Sequence, residues 1–229
     1  MTNYTGSNEN SFQGPRMQIH EVIKCDPHEG DVGEGLIFKT NRGDIRSIFH
    51  ESSNAHKSVI WVCGASGGFR GPAKGLYSEL SECFANSGIS SLRMDYRYPN
   101  DFPECMLDLL AGITYLKKTG YSPPVLVGHS FGGGTGIVAS YLDNRISSCL
   151  NLDGWLEPVP EEIINNGLNI PFCYIGQIQE NWSSANYNNE KLKKFHKNNN
   201  NLSYIFEVKD TKHMDYADIP YLNRLTKLF

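Results

Sequence analysis

The hydrophobic pattern of the chain changes character near residue 57. Before that point apolar and polar residues alternate over residues 17–25, which predicts an edge strand, and residues 35–40 and 45–50 are two further candidate strands. Residues 41–44, Asn-Arg-Gly-Asp, separate the other two and predict the turn of a β-hairpin. Residues 58–63 then form a continuous apolar run, which is typical of a parallel strand covered on both faces. We therefore expect an antiparallel start followed by a parallel sheet.

Strand-like and helical segments alternate along the rest of the chain. Further strands are predicted at residues 89–96, 124–127, 146–152, 170–175 and 202–208. Helices are predicted at residues 72–86, 101–118, 135–142 and 185–197 and at the C-terminus. This alternation indicates an α/β fold with a mostly parallel central sheet and helices on both faces. Residues 156–169 are expected to be a short connection, so no large cap domain is predicted.

Composition indicates one folded domain with a polar tail. Residues 1–15 are rich in Asn, Ser, Gly and Thr and predict a disordered N-terminal tail. Residues 16–229 are enough for a single α/β domain with a substantial core. The run Asn198–Asn201 is expected to be a solvated loop.

Charge and cysteine content exclude several classes of protein. The net charge is −4, so nucleic acid is not expected as a partner. No apolar run approaches the ~18 residues of a membrane span, and the N-terminus lacks the apolar core of a secretion signal, so a cytoplasmic location is expected. The 6 cysteines have neither C-x-x-C nor metal-ligand spacing and are expected to be free, mostly buried thiols. Neither a metal nor another cofactor is predicted, and the sequence does not predict an oligomeric state.

The first chemical motif is G-x-S-x-G, which occurs twice. In Gly128–Gly132 the central Ser130 follows an apolar strand and precedes a helical segment, which is the context of a nucleophile elbow. In Gly64–Gly68 the central Ser66 also follows a strand, but Phe-Arg-Gly-Pro comes next and cannot run straight into a helix. We therefore predict Ser130 as the nucleophile.

A serine nucleophile needs an oriented base. In folds with a nucleophile elbow the catalytic residues follow one another along the sequence in the order serine, acid, histidine. Of the two histidines after Ser130, His196 lies in a lysine-rich polar helix, whereas His213 lies in a loop directly after the last strand. His213 is therefore the predicted base. Asp153 and Glu180 each follow a strand on the correct edge of the sheet, and spacing alone leaves both open as the acid.

A resemblance to a known family decides between the two acids. Gly-His-Ser-Phe-Gly-Gly at 128–133, Asn-Leu-Asp-Gly-Trp-Leu-Glu-Pro at 151–158 and His-Met-Asp-Tyr-Ala-Asp at 213–218 resemble segments of platelet-activating factor acetylhydrolases. That family belongs to the α/β-hydrolase superfamily, which also includes dienelactone hydrolase-like enzymes, and its members are calcium-independent serine esterases. The resemblance implies Asp153 as the acid and keeps Glu180 as the alternative.

The same resemblance gives the second G-x-S-x-G match a role. Residues 63–68, Cys-Gly-Ala-Ser-Gly-Gly, occupy the position of the family's His-Gly-x-Gly oxyanion loop, with Cys63 in place of the histidine. An oxyanion hole needs two backbone N–H groups, one from the residue after the nucleophile and one from this loop. We therefore predict the N–H groups of Phe131 and Ala65 as the donors.

Aromatic and charged residues near these loops are candidates for pocket and structural roles. Phe69, Trp155 and Tyr216 flank the three loops and are candidate walls of a substrate pocket. Asp95, Arg97 and Asp108 are expected to be structural charges at the end of a strand and on a helix.

The predicted activity is hydrolysis of a carboxylic ester or thioester through an acyl-enzyme on Ser130. A small-molecule substrate is expected, with small or soluble acyl groups, because no large cap encloses the site. Two alternatives stay open: acyl transfer to an acceptor other than water, and a catalytically inactive hydrolase fold used for binding.

Overall fold

A computed structural model describes residues 16–27, 30–177, 183–211 and 213–216. Their strands form one nine-stranded sheet in the order β1-β2-β3-β5-β4-β6-β7-β8-β9. The bounds of the strands are Ile19–Cys25, Glu34–Thr40, Gly43–His50, Lys57–Val62, Ile89–Met94, Val125–His129, Ser148–Leu152, Phe172–Gly176 and Ser203–Glu207. The helices α1 to α5 span Leu76–Asn86, Phe102–Lys118, Phe131–Leu142, Glu161–Asn166 and Ser183–Asn198, and a 3₁₀ helix spans His213–Tyr216.

The sheet changes from antiparallel to parallel as the hydrophobic pattern predicts. Strands β1, β2, β3 and β5 pair antiparallel in that order. From β5 across β4, β6, β7 and β8 to β9 every pair is parallel. The chain order reverses at β4, between β5 and β6, and ligands of open α/β sheets bind at the carboxyl ends of the strands beside such a reversal.

Two apolar layers, one on each face of the sheet, hold the helices in place. On β4 the side chains alternate, so that Ile60 and Val62 belong to one cluster and Val59 and Trp61 to the other. The first cluster includes buried side chains of α2 and α3, and the second includes Tyr77 of α1. Helices therefore cover both faces of the sheet, and the predicted fold class is confirmed.

The starts of two helices differ from the sequence prediction by four residues, and one short helix was not predicted. Helix α1 begins at Leu76 rather than near residue 72, and α3 begins at Phe131 rather than at Thr135. The predicted connection over residues 156–169 contains the short helix α4. The run Asn198–Asn201 is partly exposed, but the side chains of its first, third and fourth residues also donate hydrogen bonds to backbone oxygens of residues 164–169.

Buried charges connect the antiparallel strands to the rest of the sheet. The fully buried Arg93 on β5 donates to Asp31 at 2.9 Å and to Nε2 of His50 at 3.1 Å. Arg97 forms ion pairs with Asp108 and Glu104 on α2. The predicted structural role of Arg97 and Asp108 agrees with these contacts.

Two predicted segments lie outside the described residues: the N-terminal tail over 1–15 and the C-terminal helix. Within the described ranges no helix has both the length and the apolar character needed to cross a membrane.

Candidate active site

Ser130 lies at a sharp turn between β6 and α3. Its backbone has φ 53° and ψ −120°, an unusual conformation for a residue with a side chain, and Phe131 already belongs to the helix. Such a turn requires β6 and α3 to cross closely. A Cβ at Gly128 would overlap the carbonyl group of Gly132, and a Cβ at Gly132 would overlap the backbone of Cys63. The first and last glycines of this G-x-S-x-G motif are therefore set by packing.

Backbone hydrogen bonds fix the turn against the next strand of the sheet. The Ser130 N–H donates to the carbonyl oxygen of Leu152 at 3.1 Å, and the Ser130 carbonyl accepts from the N–H of Trp155 at 2.9 Å. Both partners flank Asp153, which follows β7 and itself has φ 45°. The serine and the aspartate are thus held at one edge of the sheet by the same strand ends.

The side chains of Ser130, His213 and Asp153 form one hydrogen-bonded chain. The Ser130 Oγ lies 2.9 Å from Nε2 of His213, and Nδ1 of the same imidazole lies 2.6 Å from Oδ2 of Asp153. A carboxylate oxygen can only accept, so the Nδ1–H of His213 donates to it. The lone pair of Nε2 is then directed at the serine hydroxyl, which is the arrangement that removes a proton from an attacking hydroxyl.

Asp153 is buried and accepts further hydrogen bonds from β8 and its end. Its Oδ1 accepts from the hydroxyl of Tyr174 at 3.0 Å and from the backbone N–H of Gln177 at 2.8 Å, and Oδ2 accepts from Nε2 of Gln177 at 3.3 Å. Burial, followed by the nearby Asp153 charge, raises the pKa of Tyr174, so this hydroxyl remains a donor. The sequence analysis did not identify Tyr174 and Gln177 as hydrogen-bond donors to Asp153. The available signal was that the parallel strands β7 and β8 end side by side, which brings residues at the end of β8 near Asp153.

A second histidine lies beneath the predicted base. His129, the last residue of β6, is buried, and its ring is nearly parallel to that of His213, with 6.0 Å between ring centroids and 16° between planes. Burial, and then the proximity of His213, lower the pKa of His129 to about 4. His129 is therefore neutral near pH 7 and places no second positive charge beside His213.

The glycine-rich loop after β4 lies against Ser130. A Cβ at Gly64 would stand 3.2 Å from the Ser130 Cβ, so the backbone of this loop approaches the serine closely. Ala65, one of the two predicted oxyanion donors, is the next residue. Phe131, the other, is the first residue of α3, where the backbone N–H has no acceptor within the helix. Edge-on contacts with Tyr96 and Phe102 hold the Phe131 ring.

The three predicted pocket aromatics have different described surroundings. Trp155 is 43% exposed, and its backbone N–H donates a hydrogen bond to the carbonyl oxygen of Ser130. Tyr216 ends the 3₁₀ helix that carries His213, and its hydroxyl lies 3.3 Å from Oγ1 of Thr211. Phe69 lines a cavity of about 160 Å³ whose other described walls come from residues 25–27, 35–37 and 46–48. Its place in a substrate pocket stays a prediction.

The remaining candidates do not join the hydrogen-bonded chain. Glu180, the alternative acid, lies outside the described residues. His196 was expected to lie in a solvated polar helix. Its side chain is instead half-buried, and its Nδ1 lies 2.6 Å from Oγ of Ser203. Ser66, in the second G-x-S-x-G match, lies exposed in the glycine-rich loop. Among the residues that the structure describes, no group of three or more His, Cys, Asp or Glu side chains could hold a metal ion.

The sheet order and the strand–turn–helix at Ser130 define the α/β-hydrolase class. The dienelactone hydrolase of Anabaena variabilis has the same fold, with a TM-score of 0.62 at 13% identity over 82% of this chain and 90% of that enzyme. The family described as platelet-activating factor acetylhydrolase, isoform II, matches residues 113–227, about half of the chain, and the chain belongs to this family. The resemblance seen in three sequence segments is therefore confirmed.

Individual relatives match over a shorter region. The platelet-activating factor acetylhydrolase of Gallus gallus is 28% identical over 98 residues, which are 43% of this chain and 22% of that protein. The same enzyme of Cavia porcellus is 32% identical over 117 residues, which are 51% of this chain and 26% of that protein. The chain thus matches about a quarter of the length of these relatives.

Proposed function

We propose that the protein is a serine esterase that hydrolyses small carboxylic esters through an acyl-enzyme on Ser130. The observation that carries this proposal is the hydrogen-bonded chain from Ser130 Oγ through His213 to Asp153, with the serine at a strained turn. Family membership supports the reaction class, since its curated relatives are named as acetylhydrolases.

The first half of the reaction forms the acyl-enzyme. Oγ of Ser130 attacks the ester carbonyl carbon while Nε2 of His213 takes its proton, and the carbonyl π electrons move to the oxygen. The buried Asp153 carboxylate stabilises the imidazolium and holds the ring in place. The N–H groups of Ala65 and Phe131 donate to the oxyanion, which typically contributes about 3 kcal/mol per donor.

The second half releases the acyl group. The carbonyl re-forms, the bond to the leaving alcohol or thiol breaks, and His213 delivers its proton to that leaving group. A water molecule then attacks the acyl-enzyme, with His213 as base, and returns Ser130 to its starting form. Charge on the neighbouring His129 would oppose the imidazolium, so its burial as a neutral ring favours protonation of His213 during the attack by Ser130.

The acyl group is expected to be small, with acetyl as the first choice. Residues 153–171 between β7 and β8 contain only the six-residue helix α4, so this connection provides no large cap over the site. Trp155 is the one predicted pocket aromatic that combines backbone contact with Ser130 and substantial exposure. An acetyl ester or acetyl thioester fits such an open site better than a long acyl chain, which needs an enclosed apolar channel.

A panel of p-nitrophenyl esters from acetyl to decanoyl tests the proposal. We expect the acetyl ester to give the highest kcat/KM and Ser130→Ala to lower kcat by more than about 10³-fold. Faster turnover of long-chain esters would contradict the small acyl group, and no turnover by folded wild-type protein would favour a binding scaffold. Product analysis with added glycerol distinguishes hydrolysis from acyl transfer, since a transferase would yield the glycerol ester.

A further inference from the structure

The loop that carries the predicted oxyanion donor Ala65 is a tight turn. The N–H of Gly67 donates to the carbonyl oxygen of Gly64 at 3.0 Å, which closes the turn around Ala65 and Ser66. Gly67 has φ 68° and Gly68 has φ 91°, values that side-chain-bearing residues rarely adopt. Because Gly64 lies close to Ser130, a small change in this turn would move the Ala65 N–H relative to the nucleophile.

One side chain at the end of the neighbouring strand β5 lies against this turn. Oδ1 of Asp95 accepts a hydrogen bond from the N–H of Gly68 at 2.6 Å and another from the N–H of Tyr96 at 2.8 Å. A Cβ at Gly67 would stand only 2.6 Å from the same oxygen, so the carboxylate fills the space that the glycine leaves.

The position of Asp95 is itself fixed by the sheet. It follows β5 directly, and its own N–H donates to the carbonyl oxygen of Arg46 at 3.0 Å, which extends the pairing between β3 and β5. One oxygen atom therefore connects the end of β5 to the glycine turn. No ion pair involves Asp95 within the described part of the chain, so its described contacts are with backbone N–H groups.

We propose that Asp95 is a positioning residue for the oxyanion hole: its Oδ1 holds the Gly64–Gly68 turn so that the Ala65 N–H faces the oxyanion formed at Ser130. This inference rests on the proposed function. The sequence suggested only a structural strand-end charge at this position. In the structure the useful property is the position of Oδ1, which accepts hydrogen bonds from the N–H groups of Gly68 and Tyr96. A full negative charge near an oxyanion would by itself oppose the transition state, so the charge is not the useful property.

Two substitutions separate the oxygen from the charge. Asp95→Asn keeps an Oδ1 at the same place and removes the charge, whereas Asp95→Glu keeps the charge and moves the carboxylate by one methylene. We expect Asp95→Asn to retain kcat within about fivefold, and Asp95→Glu to lower kcat by about 10²-fold, the low end of the loss of one oxyanion donor. KM for p-nitrophenyl acetate should change by less than about threefold in both, because the oxyanion exists only after attack.

The affinity for a trifluoromethyl ketone gives a readout that a merely structural role would not move. This inhibitor adds to Ser130 as a hemiketal whose oxyanion needs the same N–H groups, so Asp95→Glu should weaken its inhibition by the same factor as kcat. The pH dependence of kcat/KM should stay unchanged, since His213 and Asp153 are untouched. Asp143→Ala is the matched control: Asp143 accepts the N–H of Arg145 at 2.9 Å at the far end of α3 from Ser130, and its loss should affect neither kcat nor inhibition.

Several outcomes would overturn the inference. They are equal kcat in Asp95→Glu and wild type, a loss in Asp95→Asn as large as in Asp95→Glu, or a loss of kcat without weaker ketone inhibition. If Asp95→Glu does not fold, Asp95→Ala removes the acceptor without adding bulk and carries the same expectations. Failure of the proposed function has a different signature, because wild-type protein would then neither turn over the ester nor bind the ketone.

Discussion

Replacing Asp153 with asparagine should remove most of the activity while leaving the shape of the site intact. The substitution changes one oxygen to an NH₂ group and removes the charge. Oδ1 of the aspartate faces two donors, the Tyr174 hydroxyl at 3.0 Å and the Gln177 N–H at 2.8 Å. An NH₂ group in that place would oppose the backbone N–H, which cannot become an acceptor. The asparagine therefore turns its NH₂ group toward His213.

That orientation forces the imidazole into the wrong tautomer. An NH₂ group at the position of Oδ2, 2.6 Å from Nδ1 of His213, requires Nδ1 to accept, so the ring proton moves to Nε2. A protonated Nε2 cannot take the proton of the Ser130 hydroxyl. The same substitution in a serine protease triad lowers kcat about 10⁴-fold, and this factor corresponds to about 5.4 kcal/mol of transition-state stabilisation. We expect a loss of this order with KM changed by less than about threefold.

The assay is steady-state hydrolysis of p-nitrophenyl acetate by wild type, Asp153→Asn and Glu180→Gln, with near-ultraviolet circular dichroism to confirm folding. Glu180→Gln tests the alternative acid and should stay within about twofold of wild type. A folded Asp153→Asn variant that keeps more than about a tenth of wild-type kcat would refute the reasoning. A large loss in Glu180→Gln would move the acid to that residue.

Two further predictions follow from buried hydrogen bonds. Tyr174→Phe removes one donor to the Asp153 carboxylate and should lower the free energy of unfolding by about 1.5–3 kcal/mol. Urea unfolding should show a smaller loss for Tyr174→Phe in the Asp153→Asn background than in wild type. Equal losses in both backgrounds would contradict a charge-assisted hydrogen bond. His50 is buried against Arg93, and burial, then the Arg93 charge, lower its pKa to about 4. The unfolded chain therefore binds more protons between about pH 4 and pH 6.5, and stability should fall by up to about 3 kcal/mol as pH drops through that range. His50→Gln can still accept from Arg93 and should remove the His50 part of this dependence, while the part from His129, whose pKa is also about 4, stays. An unchanged slope would rule out a contribution from His50.

The sheet could be predicted from the sequence because most of its strands correspond to short apolar runs. The hairpin signal at residues 41–44 predicted the antiparallel start, and the continuous apolar run at residues 58–63 with the strand–helix alternation after it predicted the parallel remainder. The start of α3 could not be predicted, because Gly132, Gly133 and Gly134 disfavour a helix by local propensity. Tertiary packing decides there: a Cβ at any of the three would approach backbone or side-chain atoms of Cys63, Asn151 or Trp155 too closely.

The site was predictable in part for a similar reason. Ser130, Asp153 and His213 each follow a strand, and the carboxyl ends of parallel strands meet at one edge. The choice of Asp153 over Glu180 needed the family resemblance, since strand order alone did not separate them. Tyr174 and Gln177 were missed because the register between β7 and β8 decides which residues at the end of β8 face Asp153, and the sequence does not show that register. The contacts behind the role that we propose for Asp95 were missed because its partners are backbone N–H groups, which have no sequence signature.

The most direct test of the account is the site of covalent modification by a fluorophosphonate. This reagent phosphonylates an activated serine, and mass spectrometry of the digested protein locates the adduct. The account predicts a single adduct on the peptide that contains Ser130, absent in Ser130→Ala and formed more than about 10²-fold more slowly in His213→Ala, because the base contributes a factor of that size or more. An adduct on Ser66, or no adduct on folded wild-type protein, would contradict it.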